Sequence, residues 1–193
     1  MGEFRLETER LVLRRWRDGD LGSWLQHLNT PEVKAHLGGP QSPEAVAEKF
    51  AKAKESWARD RFSFLAVDLQ ENGAFLGAAG IGRISNEGVP DALRDAVQIG
   101  WQLRKDYWGQ GYATEAARAV LAWAFDQLNL PLVYGQTSES NPGSWHIMEK
   151  LGMERLTALD YEAPDYPAED NPTKVYGLTQ EAWIAQARAV AHA

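Results

Sequence analysis

The 193-residue sequence predicts a mixed α/β domain, on three observations. A strand-like run ends in a glycine turn that opens a long amphipathic helix. An Asn-Gly pair separates two further runs of strand character, and elements of both kinds follow one another with no repeat, low-complexity tract or linker. The length supports one full core, so a single domain over residues 1–193 is expected.

The elements follow from local chemistry. Residues 6–14 read as a strand, and a helix follows the capping candidates Asp18 and Asp20. A second helix begins after Ser42, a suitable N-cap, with Pro43 at its first position and Val46, Phe50, Ala53 and Trp57 along one face. Residues 62–69 and 74–84 form a hairpin around Glu71-Asn72-Gly73, because Asn-Gly tolerates the positive backbone angles of a tight turn. Residues 85–95 read as a loop and 96–103 as a strand. Beyond the glycine turn, Ala113, Ala116, Ala117, Val120, Leu121, Ala124, Phe125 and Leu128 share one helix face. A strand over 132–137, a helix over 141–151, a strand over 173–179 and a terminal helix near 179–190 complete the chain.

The glycine turn, Tyr107-Trp-Gly-Gln-Gly-Tyr-Ala-Thr-Glu115, carries most of the functional information. A helix start exposes amides without intrahelical partners, and glycines let an anion approach them. An ordinary glycine-containing loop is the alternative. No Gly-x-x-x-x-Gly-Lys-Ser/Thr run exists, which argues against ATP or GTP hydrolysis. A dinucleotide turn also fails, since its third glycine would fall at Thr114 and its acidic partner at Asp126, late in the helix.

Residues 108–116, Trp-Gly-Gln-Gly-Tyr-Ala-Thr-Glu-Ala, resemble the acetyl-CoA pyrophosphate loop of the GNAT superfamily of acyl-CoA-dependent N-acetyltransferases. Thr8-Glu9-Arg10-Leu11-Val12-Leu13-Arg14 is similar to the opening strand of its Rim-type branch, the ribosomal-protein N-terminal acetyltransferases and their relatives. Asn141-Pro-Gly-Ser144 with Glu149-Lys150-Leu151-Gly152-Met153 resembles that branch's closing motif. The resemblance implies a central, mostly antiparallel sheet flanked by helices, whose fourth and fifth strands, here 98–103 and 132–137, lie parallel and splay apart. It implies that amides of Gly109, Gln110, Gly111, Tyr112, Ala113 and Thr114 hold the pyrophosphate of acetyl-CoA. Arg104 and Lys105 would add charge at the cofactor mouth, or be a solvated basic pair. The Leu103 backbone would lie on the pantetheine arm, an amide near Trp101 would polarise the acetyl carbonyl, and Asn141 would contact the cofactor.

The implied reaction is direct acetyl transfer to a primary amine, a protein N-terminus or a small molecule, without a covalent acyl-enzyme. The tyrosine that donates a proton in many members would match Met148, which has none to give. Rim-type relatives place a serine where Ser144 stands. Its hydroxyl could protonate the departing thiolate or order a water, or it could only satisfy the first turn of a helix capped by Asn141. Relatives often carry glutamate at Gln98, and glutamine cannot act as a base. Glu87, Asp95, a carboxylate of residues 160–170 or an ordered water remain candidates. The acidic stretch from Asp160 to Asp170 could bind a cationic amine with Tyr161 and Tyr166 offering ring faces, or be a solubilising loop. Trp16, Trp24, Trp57, Phe62 and Phe64 could line an acceptor cleft or belong to the core. A noncatalytic acyl-CoA-binding or sensing domain is the competing reading.

Composition sets the outer limits. A formal net charge of -7 disfavours nucleic acid and anionic membranes as partners and favours cationic ones. The absence of cysteine excludes disulfides and a cysteinyl acyl-enzyme. His27, His36, His146 and His192 form no metal or triad motif, so no metal is expected. The N-terminus, Met1-Gly2-Glu3-Phe4-Arg5, lacks an apolar signal core, no run approaches a membrane span, and Leu6 breaks a myristoylation pattern, so a cytoplasmic protein is expected. An exposed strand edge or the tryptophan-rich surface could support a homodimer.

Overall fold

The computed structural model describes residues 4–85 and 87–191, so the expectations placed on Met1–Glu3 and His192 lie outside the described residues. Among the described residues, eight strands and five α-helices follow in the order β1 Arg5–Glu7, β2 Leu11–Arg14, α1 Asp20–His27, α2 Pro43–Asp60, β3 Phe64–Leu69, β4 Phe75–Arg83, β5 Val97–Leu103, α3 Tyr112–Ala122, β6 Leu132–Ser138, α4 Pro142–Lys150, β7 Glu154–Arg155, β8 Thr173–Thr179 and α5 Gln180–Ala191. The expected mixed α/β architecture is present. Its sheet is open and mostly antiparallel, and β5 and β6 form the parallel pair. Contacts divide the chain into two compact units. One takes the described residues of Met1–Gly82 and Gly100–Val120, the other those of Arg83–Ile99 and Leu121–Ala193.

In the first unit, β1 to β4 form a meander in which β1 pairs β2, β2 pairs β3 and β3 pairs β4, all antiparallel. The single strand expected over residues 6–14 is two strands. Thr8 takes the Leu11 carbonyl at 2.9 Å through its N–H and accepts the Leu11 N–H on its hydroxyl, and this turns the chain back on itself. Register pairs Leu6 with Leu13. The capping expectation for Asp18 and Asp20 also needs correction. The α1 N-cap is Gly19, with no side-chain capping bond, and Asp18 pairs instead with Lys54. Asp20 accepts the Arg17 N–H at 2.7 Å and both terminal nitrogens of Arg14.

Ser42 caps α2 as expected, accepting the Ala45 N–H, with Pro43 at the first position. Val46 and Phe50 point into a cluster with Trp16, Trp24, Leu28, Val33, Ala66 and Ala78, while Ala53 packs at its edge. Trp16, Trp24 and Phe62 are thus core residues, whereas Trp57 and Phe64 are half-buried. The hairpin turn stands where expected. Gly73 has φ +71° and Asn72 Oδ1 accepts the Ala74 N–H at 2.9 Å. Two glycines then make room for the Phe64 ring and a third for its backbone. A Cβ on Gly82 would lie 3.2 Å from Phe64 and one on Gly100 3.1 Å from it, and a Cβ on Gly80 would strike the Phe64 backbone at 2.4 Å.

In the second unit, β6 pairs β8 and β8 pairs β7, both antiparallel, while Gln98 and Ile99 of β5 register in parallel with Tyr134 and Gly135 of β6. The loop expected ahead of β5 carries buried residues. Val89 and Leu93 are buried with Ile84, Tyr161, Ala163 and Val175, and a 3-10 turn spans Asp91–Leu93. The short strand β7 escaped the sequence reading because two residues carry no periodicity. The helix begun by α3 closes on a π-helical turn, Trp123–Gln127.

Arg14, buried in the first unit, is bound bidentately to Asp20 and to Asp68 at 2.6 Å. Burial pushes both carboxyls up. For Asp20 the Arg14 guanidinium and the Arg17 N–H outweigh burial and hold it below the usual carboxylate range, while Asp68 stays above it. Replacing Arg14 with Met strands two buried acids and is expected to cost about 3–5 kcal/mol in urea unfolding. Asp20, with its folded pKa depressed, contributes stability that is present above its unfolded value and lost as pH falls through its folded value. Asp20→Asn therefore flattens the drop in urea midpoint as pH falls through and below the ordinary carboxylate range.

Candidate active site

The glycine turn is built by backbone conformation. Gly109 has φ +73° and Gly111 φ +81°, both in the left-handed region that favours glycine. Space is not what demands the glycines, since a Cβ on Gly109 would meet nothing within 4 Å and one on Gly111 only Arg10 Nη2 at 3.5 Å. The Glu115 N–H reaches back to the Gly111 carbonyl at 3.0 Å as α3 begins. The amides of Tyr112, Ala113 and Thr114 precede it and have no intrahelical acceptor. Gly109, Gln110 and Gly111 are exposed, and the three residues after them are half-buried. The arrangement offers amide donors and the positive end of a helix to an anion.

Four side chains that the sequence reading did not assign to the site fix this turn. Glu115 Oε1 accepts from the Thr8 hydroxyl at 2.6 Å and the Arg10 N–H at 2.9 Å, and its Oε2 accepts from Arg10 Nε at 2.7 Å. Arg10 Nη1 donates to the Gln110 carbonyl at 3.1 Å, and the guanidinium lies 4.3 Å from the centre of the Tyr112 ring. Trp108 donates its indole N–H to the Leu103 carbonyl at 2.7 Å. Burial pushes the Glu115 carboxyl up, yet Thr8 and Arg10 hold it below the usual range. An acid in the first turn of α3 is thereby neutralised by an arginine. The sequence signal was present in Thr8-Glu9-Arg10 and in Thr114-Glu115, but nothing in one dimension joins residues more than a hundred positions apart.

Leu103, Arg104 and Trp101 stand on or just after β5 in the same unit. Leu103 is buried and its carbonyl is taken by Trp108. Arg104 donates to the Phe75 carbonyl at 3.2 Å and to Asp106 at 3.1 Å, while Lys105 pairs with Glu32. Arg104 is thus held against a backbone carbonyl and half-buried, while Lys105 stays exposed in a surface ion pair. Gln102 accepts from Lys34 at 2.8 Å, a buried lysine that desolvation brings down to about 8.

In the second unit, Asn141 caps α4 by accepting the Ser144 N–H at 3.1 Å, with Pro142 at the first position. Asn141 and Ser144 are brought together as cap and first turn. The bond uses the Ser144 backbone, and among the described residues its hydroxyl has no hydrogen-bond partner. Met148 is buried, and a Cβ on Gly135 would lie 3.0 Å from its sulfur. Ahead of the cap, Ser138 and Ser140 both donate to buried Asp170. Gln98 accepts from Gln136 at 2.9 Å, and Gln136 accepts from the Tyr161 hydroxyl. Of the base candidates, Glu87 and Asp95 are exposed, Asp160 pairs with Arg155, and Asp170 is held by the serines. Tyr161 does not offer its ring face to a cation, because its ring is buried among aliphatic side chains. Among the described residues no group of three or more His, Asp or Glu could hold a metal, and no helix is long and apolar enough to cross a membrane.

Residues 10–154 match the acetyltransferase (GNAT) domain family. The chain is 30% identical over 115 residues to the FsC-acetyl coenzyme A-N(2)-transacetylase of Aspergillus fumigatus, a match covering 58% of this chain and 48% of that protein. The chain thus spans about half the length of that relative. It is 26% identical over 163 residues to the N-acetyltransferase p20 of Bacillus licheniformis, covering 81% of this chain and 86% of the relative. An acetyltransferase structure from Agrobacterium tumefaciens superposes with a TM-score of 0.74 at 29% identity, covering 92% of this chain and 95% of that one. The chain belongs to the GNAT acetyltransferase family. It is an enzyme of the N-acetyltransferase class.

Replacing Glu115 with Ala leaves the Thr8 hydroxyl and the Arg10 donors unpaired. The expected loss is about 2 kcal/mol in urea unfolding, with faster hydrogen exchange at the amides of Gln110 to Ala113.

Proposed function

We propose that the chain is a single-domain, cytoplasmic, Rim-type N-acetyltransferase that moves the acetyl group of acetyl-CoA directly to a primary amine. The observation that carries the reading is the pair of left-handed glycines, Gly109 and Gly111, opening α3. The relative named for acetyl coenzyme A transacetylation supports the choice of cosubstrate. The Rim-type assignment is supported by the Thr8–Arg14 and Asn141–Met153 motifs. On this reading the amides of Gly109 to Thr114 hold the pyrophosphate, Arg104 lends charge, Trp101 and Leu103 flank the acyl arm, and Asn141 contacts the cofactor.

The uncharged amine attacks the thioester carbonyl, the oxyanion is stabilised by an amide near Trp101, and the carbon–sulfur bond breaks. The departing thiolate takes a proton from Ser144 or from a water that Ser144 orders. An ordered water takes the proton from the amine. With no cysteine in the chain, no cysteinyl intermediate forms. A noncatalytic acyl-CoA binder is the second reading, favoured by the buried Met148 and the neutral Gln98, neither of which transfers a proton.

Calorimetry with acetyl-CoA, desulfo-CoA and ATP tests the cradle first. Acetyl-CoA is expected to bind at micromolar concentration and ATP not to bind, whereas absence of acetyl-CoA binding would remove the proposed site. Gly111→Asp places bulk and negative charge at the pyrophosphate and is expected to abolish that binding while the fold persists by circular dichroism. Ser144→Ala is expected to lower kcat by about tenfold or more with little change in KM for acetyl-CoA. An unchanged kcat assigns Ser144 to the helix cap alone, and binding without turnover on any amine selects the second reading.

A further inference from the structure

Within the first unit, the end of β5 is covered along one edge by a side chain. The Arg104 N–H bonds the Leu76 carbonyl of β4 at 2.8 Å, and a Cβ on Gly77 of β4 would lie 2.1 Å from the Gln102 carbonyl oxygen. Gln102 and Arg104 thus turn these backbone groups toward β4. Alternation along an antiparallel pair then turns the N–H and C=O of Leu103 to the opposite edge. The parallel register on that edge covers Gln98 and Ile99 and does not reach Leu103. The Leu103 carbonyl therefore has no strand partner, and the Trp108 indole N–H supplies its donor at 2.7 Å. Among the described residues this is the one hydrogen bond the indole makes. Trp108 is also 48% exposed, one of two large apolar side chains that stand out into solvent among those residues. A ring so exposed loses little buried area when its one bond opens.

Resting on the acetyl-CoA reading above, in which the acyl arm lies on Leu103, we infer that Trp108 is a placeholder for that arm. Its indole N–H holds the Leu103 carbonyl until an amide N–H of the arm takes the same oxygen, and the ring then turns off the β5 edge. An extended chain of amides adds to an unpaired edge through main-chain hydrogen bonds, as a strand does. The indole N–H stands where a donor of such a strand would. The exchange trades one N–H···O bond for another, so the placeholder weakens binding of the arm by only about fivefold and does not close the site. It also blunts an exposed strand edge, which otherwise invites pairing with another chain. A ligand that carries the pyrophosphate without the arm has nothing to offer the Leu103 carbonyl and leaves the indole in place.

Indole 1H–15N spectra of the full chain test this, with the Trp108 peak assigned by its loss in Trp108→Phe or, should that variant not fold, in Trp108→Tyr. Saturating acetyl-CoA is expected to speed exchange of the Trp108 indole proton with solvent by about tenfold. Adenosine 3′-phosphate 5′-diphosphate, which keeps the pyrophosphate and lacks the arm, is expected to leave that rate unchanged. Calorimetry is expected to show acetyl-CoA binding the folded variant about fivefold more tightly than the wild type, because the arm then meets a carbonyl with no indole on it. A carbonyl has two lone pairs, so an indole proton still protected with acetyl-CoA bound means that both donors share the oxygen, and this overturns the placeholder. Release by the armless nucleotide, or weaker acetyl-CoA binding by the variant, overturns it as well. In each of these cases the cradle stands. No acetyl-CoA binding to the wild-type chain overturns both readings together.

Discussion

The charge pair between Arg10 and Glu115 is the constraint on which the first unit's glycine turn depends. Two consecutive left-handed excursions two residues apart are floppy in isolation, because glycine loses more conformational freedom on ordering than any other residue. One carboxylate collects the Thr8 hydroxyl, the Arg10 amide and the Arg10 guanidinium, and the guanidinium in turn holds the Gln110 carbonyl between the two glycines. The ordering entropy of the turn is thus offset by charge-assisted bonds made in the free protein, before any anion arrives. The same pair leaves the helix start with little net side-chain charge of its own, so that the backbone dipoles dominate what a ligand meets.

Charge is handled differently in the second unit. Here polar groups in the interior are mostly neutral and joined in short directional lines, with hydroxyls and carboxamides passing one donor role along. Among its acids, Asp160 and Asp170 are each held by donors, Asp160 by the Arg155 guanidinium and Asp170 by two serine hydroxyls. A chain of net charge -7 could have placed acids throughout residues 160–170 as a cation-binding surface. Its structure spends Asp160 and Asp170 on holding the loop, leaves Glu162, Asp165 and Glu169 exposed, and turns Tyr161 inward. Asn171 completes the anchoring by donating to the Ala163 and Tyr166 carbonyls.

Features encoded within a few residues of one another were legible in the sequence. Ser42 with Pro43, Asn72 with Gly73, Asn141 with Pro142 and the glycines at 109 and 111 each set a local backbone angle or cap, and each stands as expected. The helix faces followed from periodicity, since Ala116, Ala117, Val120, Leu121, Ala124 and Phe125 are all buried. What could not be read depends on distant partners. The reversal at Thr8–Arg10 interrupts a run that looks like one strand, and its reason is a hydroxyl serving both Leu11 and Glu115. Asp20 has the composition of a helix cap but answers to Arg14, a strand residue whose burial no local pattern announces. Tyr161 sits in an acidic, proline-containing segment that reads as solvated, and only the pairing of Tyr161 with Thr173 turns its ring inward.

The wide turn at Trp123–Gln127 gives α3 an unusual tolerance at its far end. There the Leu128 N–H spans five residues to the Trp123 carbonyl, so one more residue is wound into the turn than an α-helix holds. The Phe125 carbonyl is met by the Gln180 side chain at 2.7 Å. Such a turn is a place where a lineage can gain or lose a single residue and keep the buried face of the remaining helix in phase. A length change between the glycine turn and β6 can therefore be absorbed at this one point with the register of Gly111 and Glu115 untouched.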